Sequence, residues 1–417
     1  RKDDDLADYG LNPVTLGGDT LTSTDLIRRR WLDNDFYGTT YSLEYNTKGF
    51  NATLGGAYNY YEGDHFGEII WARYSSDSEI RDRYYDNTTK KNDFNIFLKL
   101  NKTFGKLNAF ADLQHRAVSY NAQGIDSDRR AIDISKNFNF FNPKVGVNYQ
   151  LKPNQRVFAS AGVAQREPVR SDFLDAIAGM EPKSEFMIDY EAGYELRTIR
   201  SFLSANLFYM DYKDQLVLTG QVNDVGSPIR TNVDKSYRAG LEVVGNYKIT
   251  DWFQAGANAA LSRNIIKNFT DYVVDYDNGG YQTTEYDSRD ISFSPNFIGG
   301  IELGFLPVKG FMATINSKYV SRQFLDNTGS SELFDFTSND NGKTLDAYSI
   351  TDLRMDYILP VKFAEEVKIH LLVANLFNKE YEPNGYTYSY IYGGMITENF
   401  YFPMAGVNIL AGIKVRF

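Results

Sequence analysis

The fold class this sequence predicts is all-β, a transmembrane antiparallel β-barrel of about 15 or 16 strands, and three observations predict it. In residues 407–417 every odd position (Val407, Ile409, Ala411, Ile413, Val415, Phe417) is apolar, whereas Asn408, Gly412, Lys414 and Arg416, with Leu410 the one exception among them, stand on the other face. Side chains alternate along a strand, and a tilted strand of about 9 to 11 residues crosses a bilayer, so this segment has the length and the two faces of a barrel strand. Second, the chain holds 31 Tyr and 29 Phe in 417 residues, a supply of rings suited to girdles at the two membrane interfaces. No run approaches the roughly 18 consecutive apolar residues of a membrane helix. Third, short turns and long loops alternate along the whole chain, as in outer-membrane barrels.

From the amino end, residues 1–23 read as polar loop, with neither an apolar core nor a cleavage site of a secretory signal, and 24–417 as barrel. A chain opening in mid-domain suggests an amino-truncated fragment. Leu26 to Leu32 form a possible short strand. The row Tyr37, Thr39, Tyr41, Leu43, Tyr45 meets a turn at 46–49 and returns as Ala52, Leu54, Gly56, Tyr58, Tyr60. A loop is expected at 61–91. Phe94, Ile96, Leu98 and Leu100 lead through a turn at 102–106 to Leu107, Ala109, Ala111 and Leu113, and a loop follows at 121–139. Further turns fall at 152–155, 197–200, 248–252, 306–310 and 360–366, and further loops at 169–184, 216–230, 267–290, 325–344 and 379–402. Leu303 sits mid-strand on an outward apolar row and Glu302 faces inward. A soluble β-sandwich or propeller also gives regular strands, but shorter ones, with connections that do not sort by length.

The inward rows carry both charges, among them Asp112 and Arg116, Glu191 and Glu195, Arg238 and Glu242, and Arg354, Asp356 and Lys368, so ion pairs across strands are expected. A net charge of −10 disfavours a nucleic-acid partner, and zero Cys removes thiolate chemistry and disulfides. Asp64, His65 and Glu68 set an imidazole beside two carboxylates, yet a hydrolytic zinc helix needs two His one turn apart. Asp275 to Gly279 begins like a calcium loop and lacks the bidentate Glu. His115 and His370 fall on strands as lining residues. No nucleophile elbow, P-loop or dinucleotide fingerprint occurs, so neither an enzyme nor a cofactor is expected.

The run Asn375-Leu376-Phe377-Asn378-Lys379-Glu380-Tyr381, followed by a loop, Phe402-Pro403 and a last strand ending in Phe417, resembles the final hairpin of TonB-dependent outer-membrane receptors. Asn142-Pro143-Lys144-Val145-Gly146, Arg166-Glu167-Pro168 and Tyr190-Glu191-Ala192-Gly193-Tyr194 agree with it, and Tyr319 to Thr328 is similar to the version found in Bacteroidota. The resemblance implies a barrel of about 22 strands closed by an amino-terminal plug, of which this chain holds the later part without the plug. It also implies outer-membrane lipid and the TonB complex as partners, and uptake of a small-molecule ligand, here a siderophore-iron or similar metal chelate. A passive porin, or an importer of oligosaccharide or cobalamin, is the alternative. Within the expected loop 61–91, Tyr61, His65, Phe66, Trp71, Arg73, Arg81 and Arg83 combine rings and guanidiniums suited to a bulky, partly anionic ligand. The competing reading is a loop that packs on its neighbours.

Overall fold

The computed structural model describes residues 4–176, 179–223, 226–332, 334–335 and 341–417. Among them are eighteen strands of eight or more residues, while a 3-10 turn, Ala7–Tyr9, and the helix Arg170–Leu174 are the only helical pieces. No plug-like helical domain occurs among the described residues. Three of the strands are additions, and the other fifteen, divided between the two units given below, make the main ladders. Tyr281–Asp290 pairs with the upper part of Phe253–Asp275, whose lower part pairs with Phe297–Phe305. The hairpin Asn384–Ile391/Met395–Phe402 is inserted between Glu366–Ala374 and Asn408–Arg416, which pair with each other. Every described wall pairing is antiparallel. The chain forms two compact units, residues 1–101 with 111–143, and 102–110 with 144–417.

In the first unit the hairpin Leu26–Thr47/Phe50–Ala72 turns tightly at Lys48 and Gly49, the latter at φ 72°. Odd positions of the first strand oppose even positions of the second, so Tyr37 faces Tyr60 and Tyr45 faces Ala52 on one side. Ring pairs mark that face: Tyr45 and Phe50 at 6.5 Å beside the turn, and Tyr37 and Tyr60 at 5.0 Å. The two layers are eight residues apart, about 26 Å along the strand, close to the roughly 25 Å apolar band of a membrane barrel. Leu43 and Tyr45 between or at these layers are more than 60% exposed, as a lipid-facing row requires.

The second unit repeats the arrangement. The expected last strand, 407–417, is observed as Asn408–Arg416, with Ile409, Ala411, Ile413 and Val415 opposite Val373, Leu371, Ile369 and Val367. On the other faces of the wall the expected ion pairs form: Arg116 with Asp93 at 2.6 Å in the first unit, Arg156 with Glu195 at 2.8 Å and Lys368 with Asp356 at 3.0 Å in the second. Gly193 and Gly240 lie directly opposite Phe158 and Phe208, whose rings cover them. A Cβ at Gly240 would stand 2.4 Å from the Leu261 carbonyl oxygen, backbone that has no room to retreat. Gly240→Ala is therefore expected to destabilise the barrel by about 1 to 3 kcal/mol, measured by denaturant unfolding in lipid, and an unchanged midpoint would show that the strands can separate there.

The expected long loops are the main difference. Residues 61–72 and 83–91 are strand, continuing Phe50–Ala72 and Arg83–Phe104, which leaves only 73–82 irregular. Similarly, 121–139 is mostly strand in Leu107–Ile125 and Ala131–Lys152, and 216–230 in Ser201–Val222 and Pro228–Lys248. The reason is physical. One apolar face is needed only where lipid is met, and past it a backbone ladder continues in water with polar residues on both faces, so the sequence loses its alternation where the strand does not end. At the two ends of the expected loop 325–344 the described residues are buried and form no surface loop. Leu325, Asn327, Thr344 and Leu345 are buried, and Gln323–Phe324 pairs with Thr344–Leu345.

Candidate functional site

Above the Tyr37–Tyr60 layer, the first hairpin divides the seven candidate residues among three places, so they do not form one loop. Phe66 opposes Trp31, on the face that carries Tyr37 and Tyr60. The two rings stack at 6.2 Å, the Arg83 guanidinium lies 3.6 Å from the Phe66 centroid, and Arg29 covers Trp31 at 5.1 Å while bonding Glu68 at 2.6 Å. Arg83 also meets Asp86 at 2.7 Å. Each cation in this stack already has a carboxylate. Below it, Asp64 accepts from Thr88 and Glu62 pairs with Lys90 at 2.8 Å, which takes this face from rings to charge within two residues of Tyr60. The register slips between Ile27 and Arg28, so Trp71 comes to lie opposite Ile27 on the same face, half exposed.

Tyr61 and His65 stand on the opposite face. The Tyr61 hydroxyl donates to Asn34 Oδ1 at 2.8 Å and lies 3.5 Å from His65 Nε2. Gly63 and Gly67 occupy this row because larger residues would strike Tyr61 and the paired rings of Tyr84 and Tyr85. Arg73 and Arg81 belong to the tip: Arg73 N donates to the Asp25 carbonyl at 2.8 Å, and Arg81, at φ 73°, donates its N–H to Ile69 O.

The sequence reading missed the cations that share the face of Tyr61 and His65. Arg28 and Arg30 alternate with Arg29, so the run Arg28-Arg29-Arg30 sends its first and third members to this side. Arg28 donates to the Tyr9 hydroxyl at 2.7 Å, Arg30 to the Tyr84 hydroxyl at 3.3 Å, and Arg129 to the Tyr84 carbonyl at 2.7 Å. Beneath them Tyr9, Leu26, Ile69, Tyr84 and Tyr85 make a buried cluster that fixes the phenols. All three guanidiniums are exposed and donate to neutral oxygens, with the Asp128 carboxylate acting on Arg30 through charge alone, whereas Arg29 and Arg83 bond carboxylates directly. The signal was present: three Arg before a Trp in a strand must split between two faces.

In the second unit the conspicuous polar site is buried. Arg263 bonds Asp290 at 2.8 Å and Ser331 at 3.0 Å, Asn296 also reaches Ser331, and Asn327 bridges Ser292 N and the Leu218 carbonyl. Burial pushes the Asp290 carboxyl above its ordinary range, against the opposing hydrogen bond from Ser331 and the Arg263 charge. This cluster holds the loop that carries Tyr319 to Thr328 in place. The turn at Asp275 is likewise satisfied internally: Asp275 accepts from Asp277 N and Asn278 N, and Asp277 from Gly393 N at 2.8 Å. Among the described residues no group of three or more His, Asp or Glu is arranged to hold a metal ion.

The family described as TonB dependent receptor-like, beta-barrel matches residues 2–376. Among solved structures, the fold is similar to the siderophore receptor PiuA from Acinetobacter baumannii (13% identity, 92% of this chain and 56% of that one, TM-score 0.65). It is also similar to the ferric yersiniabactin uptake receptor FyuA from Yersinia pestis (15%, 93% and 54%, TM-score 0.61). The copper transporter OprC gives 14%, 93% and 57%, with a TM-score of 0.67. The chain spans a little over half the length of these structures. No curated protein matches.

Proposed function

The chain belongs to the TonB-dependent receptor-like β-barrel family, and on that premise we propose that it forms barrel wall of an outer-membrane receptor that imports a scarce metal chelate with energy relayed by TonB. The family match over residues 2–376 carries the reading. The ligand class is suggested by neighbours named for ferric yersiniabactin, siderophore and copper. The cationic face of the first unit suits it: Arg28, Arg30 and Arg129, with Tyr61 and His65 on the same side of the hairpin, offer an anionic chelate charge-assisted hydrogen bonds and ring contacts.

Two experiments test this. Deleting the gene should abolish growth on one of a panel of ferric siderophores under iron limitation, and the restored gene should rescue only while TonB is intact. Rescue without TonB would instead favour a porin. For the site, Arg28→Ala with Arg30→Ala in the complete receptor should weaken chelate binding at least about tenfold, since each bond to a charged group contributes about 1.5 to 3 kcal/mol. Trp71→Ala with Arg73→Ala should have the smaller effect, because Trp71 shares the face of the lipid row. The reverse order would return the site to the tip.

A further inference from the structure

The turn end of the second unit carries a feature that uptake does not use. We propose that its six consecutive turns form a rim that binds the headgroups of an anionic phospholipid, phosphatidylglycerol in type, in the periplasmic leaflet. The inference rests on the membrane-crossing part of the proposed function, in which short turns face the periplasm, and not on the ligand. The turns stand side by side because each hairpin lends a carbonyl to the next. Lys106 O accepts from Gln150 N at 2.8 Å, Asn154 O from Arg197 N at 2.9 Å, and Arg200 O from Lys248 N at 2.8 Å. Trp252 O then accepts from Leu306 N at 2.7 Å and Gly310 O from Ile358 N at 2.8 Å. The turns at 102–106, 152–155, 197–200, 248–252, 306–310 and 360–366 therefore run as one row.

Positive charge is concentrated on this row. Its turns hold eight Lys or Arg against three Asp or Glu, a surplus of five positive charges in a chain whose net charge is −10. Two of the three carboxylates are engaged, Asp251 by Lys248 at 3.0 Å and Glu365 by Arg416 at 3.0 Å, and the third, Glu366, opens the strand Glu366–Ala374. Lys106, Lys152, Lys309 and Lys362 are exposed and, among the described residues, make no ion pair.

The company these cations keep selects the partner. Phe104, Ile199, Trp252, Val308 and Phe363, in five of the six turns, are each more than half exposed. One step along the strands from the turns, Phe253 stacks on Phe305 at 4.9 Å and Phe311 meets Tyr357 at 6.1 Å. An apolar wall, then rings, then cations among apolar tips follows the order in which a lipid presents its acyl chains, its interfacial region and its phosphate. The lysine stems can lie on the apolar side chains while the ammonium groups reach the phosphates. A cell-wall polymer or a free anion would engage the cations alone and leave the apolar tips in water.

Electron paramagnetic resonance of the complete receptor in phosphatidylcholine liposomes, comparing the motionally restricted fractions of spin-labelled phosphatidylglycerol and spin-labelled phosphatidylcholine, tests the rim. At about 0.01 M salt phosphatidylglycerol should be preferred at least about twofold, averaged over all lipids touching the barrel, and the preference should shrink at about 1 M, where the Debye length is roughly 3 Å. Lys106→Gln, Lys152→Gln, Lys309→Gln and Lys362→Gln together should remove at least about half of the excess. Lys235→Gln with Lys379→Gln, at exposed lysines away from the turns, should remove little. Heat-modifiable gel mobility should show the variants folded, and if the fourfold variant fails there, Lys309→Gln with Lys362→Gln should still lower the preference. No preference in the parent, an unchanged preference in the folded fourfold variant, or equal losses per lysine at the two sets of positions would each overturn the proposal. So would loss of the preference on adding soluble peptidoglycan fragments, or inorganic phosphate at constant ionic strength. A parent that does not insert would overturn the barrel reading and this one with it, and none of these outcomes depends on TonB or on chelate uptake.

Discussion

Ile301→Arg should destabilise the barrel by about 2 to 4 kcal/mol, the range for a guanidinium placed on the lipid face near the bilayer midplane. The strand Phe297–Phe305 sets the depth scale. At its turn end Phe305 stacks on Phe253 at 4.9 Å with Trp252 beside it, a ring cluster of the kind that marks an interface. Ile301 lies four residues away, about 13 Å along the strand, and is 56% exposed between Ala257 and Ser317. Leu303, which the sequence places mid-strand, is only two residues from the rings, so Leu303→Arg should cost less, toward the interface value of about 0 to 1 kcal/mol. Glu302 points the other way, opposite Gly256 and Asn316, and Glu302→Arg should stay within about 0.5 kcal/mol of the parent. Denaturant titration of the three variants of the complete receptor in liposomes gives the ranking. Equal costs at positions 301 and 302 would mean that the two faces are not lipid and lumen.

Where the strands carry one apolar face, the sequence was readable. Alternation at Tyr37 to Tyr45 and at Val407 to Phe417 puts the apolar side chains on one side of each hairpin, and Gly and polar residues between such rows make the tight turns, so the turns fall where they were expected. The extensions were not readable, because nothing forces residues 61–72 to alternate once both faces meet water. The same gap hid the site. His65 and Phe66 are neighbours in sequence and look like one loop cluster, but in a strand they point to opposite sides, and Arg28 and Arg30, well upstream in the partner strand, share a face with His65. The run Leu325 to Thr328 illustrates another limit. It falls at the start of the expected loop 325–344, whereas its burial depends on partners such as Leu218, Ser292 and Lys343, too distant in the chain for any local pattern to announce.

That buried run gives the second large effect, Lys343→Met. Lys343 Nζ lies 2.7 Å from Asp326 Oδ2, with both side chains about 10% exposed. The other Asp326 oxygen accepts from Thr328 N, Thr328 Oγ1 and Asn341 Nδ2, all neutral donors. Removing one partner of a buried pair leaves an uncompensated charge, a loss of about 3 kcal/mol or more. The loss should appear locally, as proteolytic opening around Leu325, because the pair fastens this loop and not the wall. Asp271 gives the effect a pH dependence. Burial, and next the Asp326 carboxylate, hold the Asp271 carboxyl above its ordinary range, and Lys343 is the cation that opposes them. Without Lys343 the Asp271 value rises further. A carboxyl whose folded value exceeds its unfolded one binds protons in the native state, so the native state gains as pH falls toward that value. The deficit of Lys343→Met should therefore be largest near about pH 7 and shrink through the raised Asp271 range, while adding Asp326→Asn should recover most of it at all pH values. A deficit independent of pH, with no recovery in the double variant, would mean that Lys343 acts through packing of its stem and that the charge has no part in holding the loop.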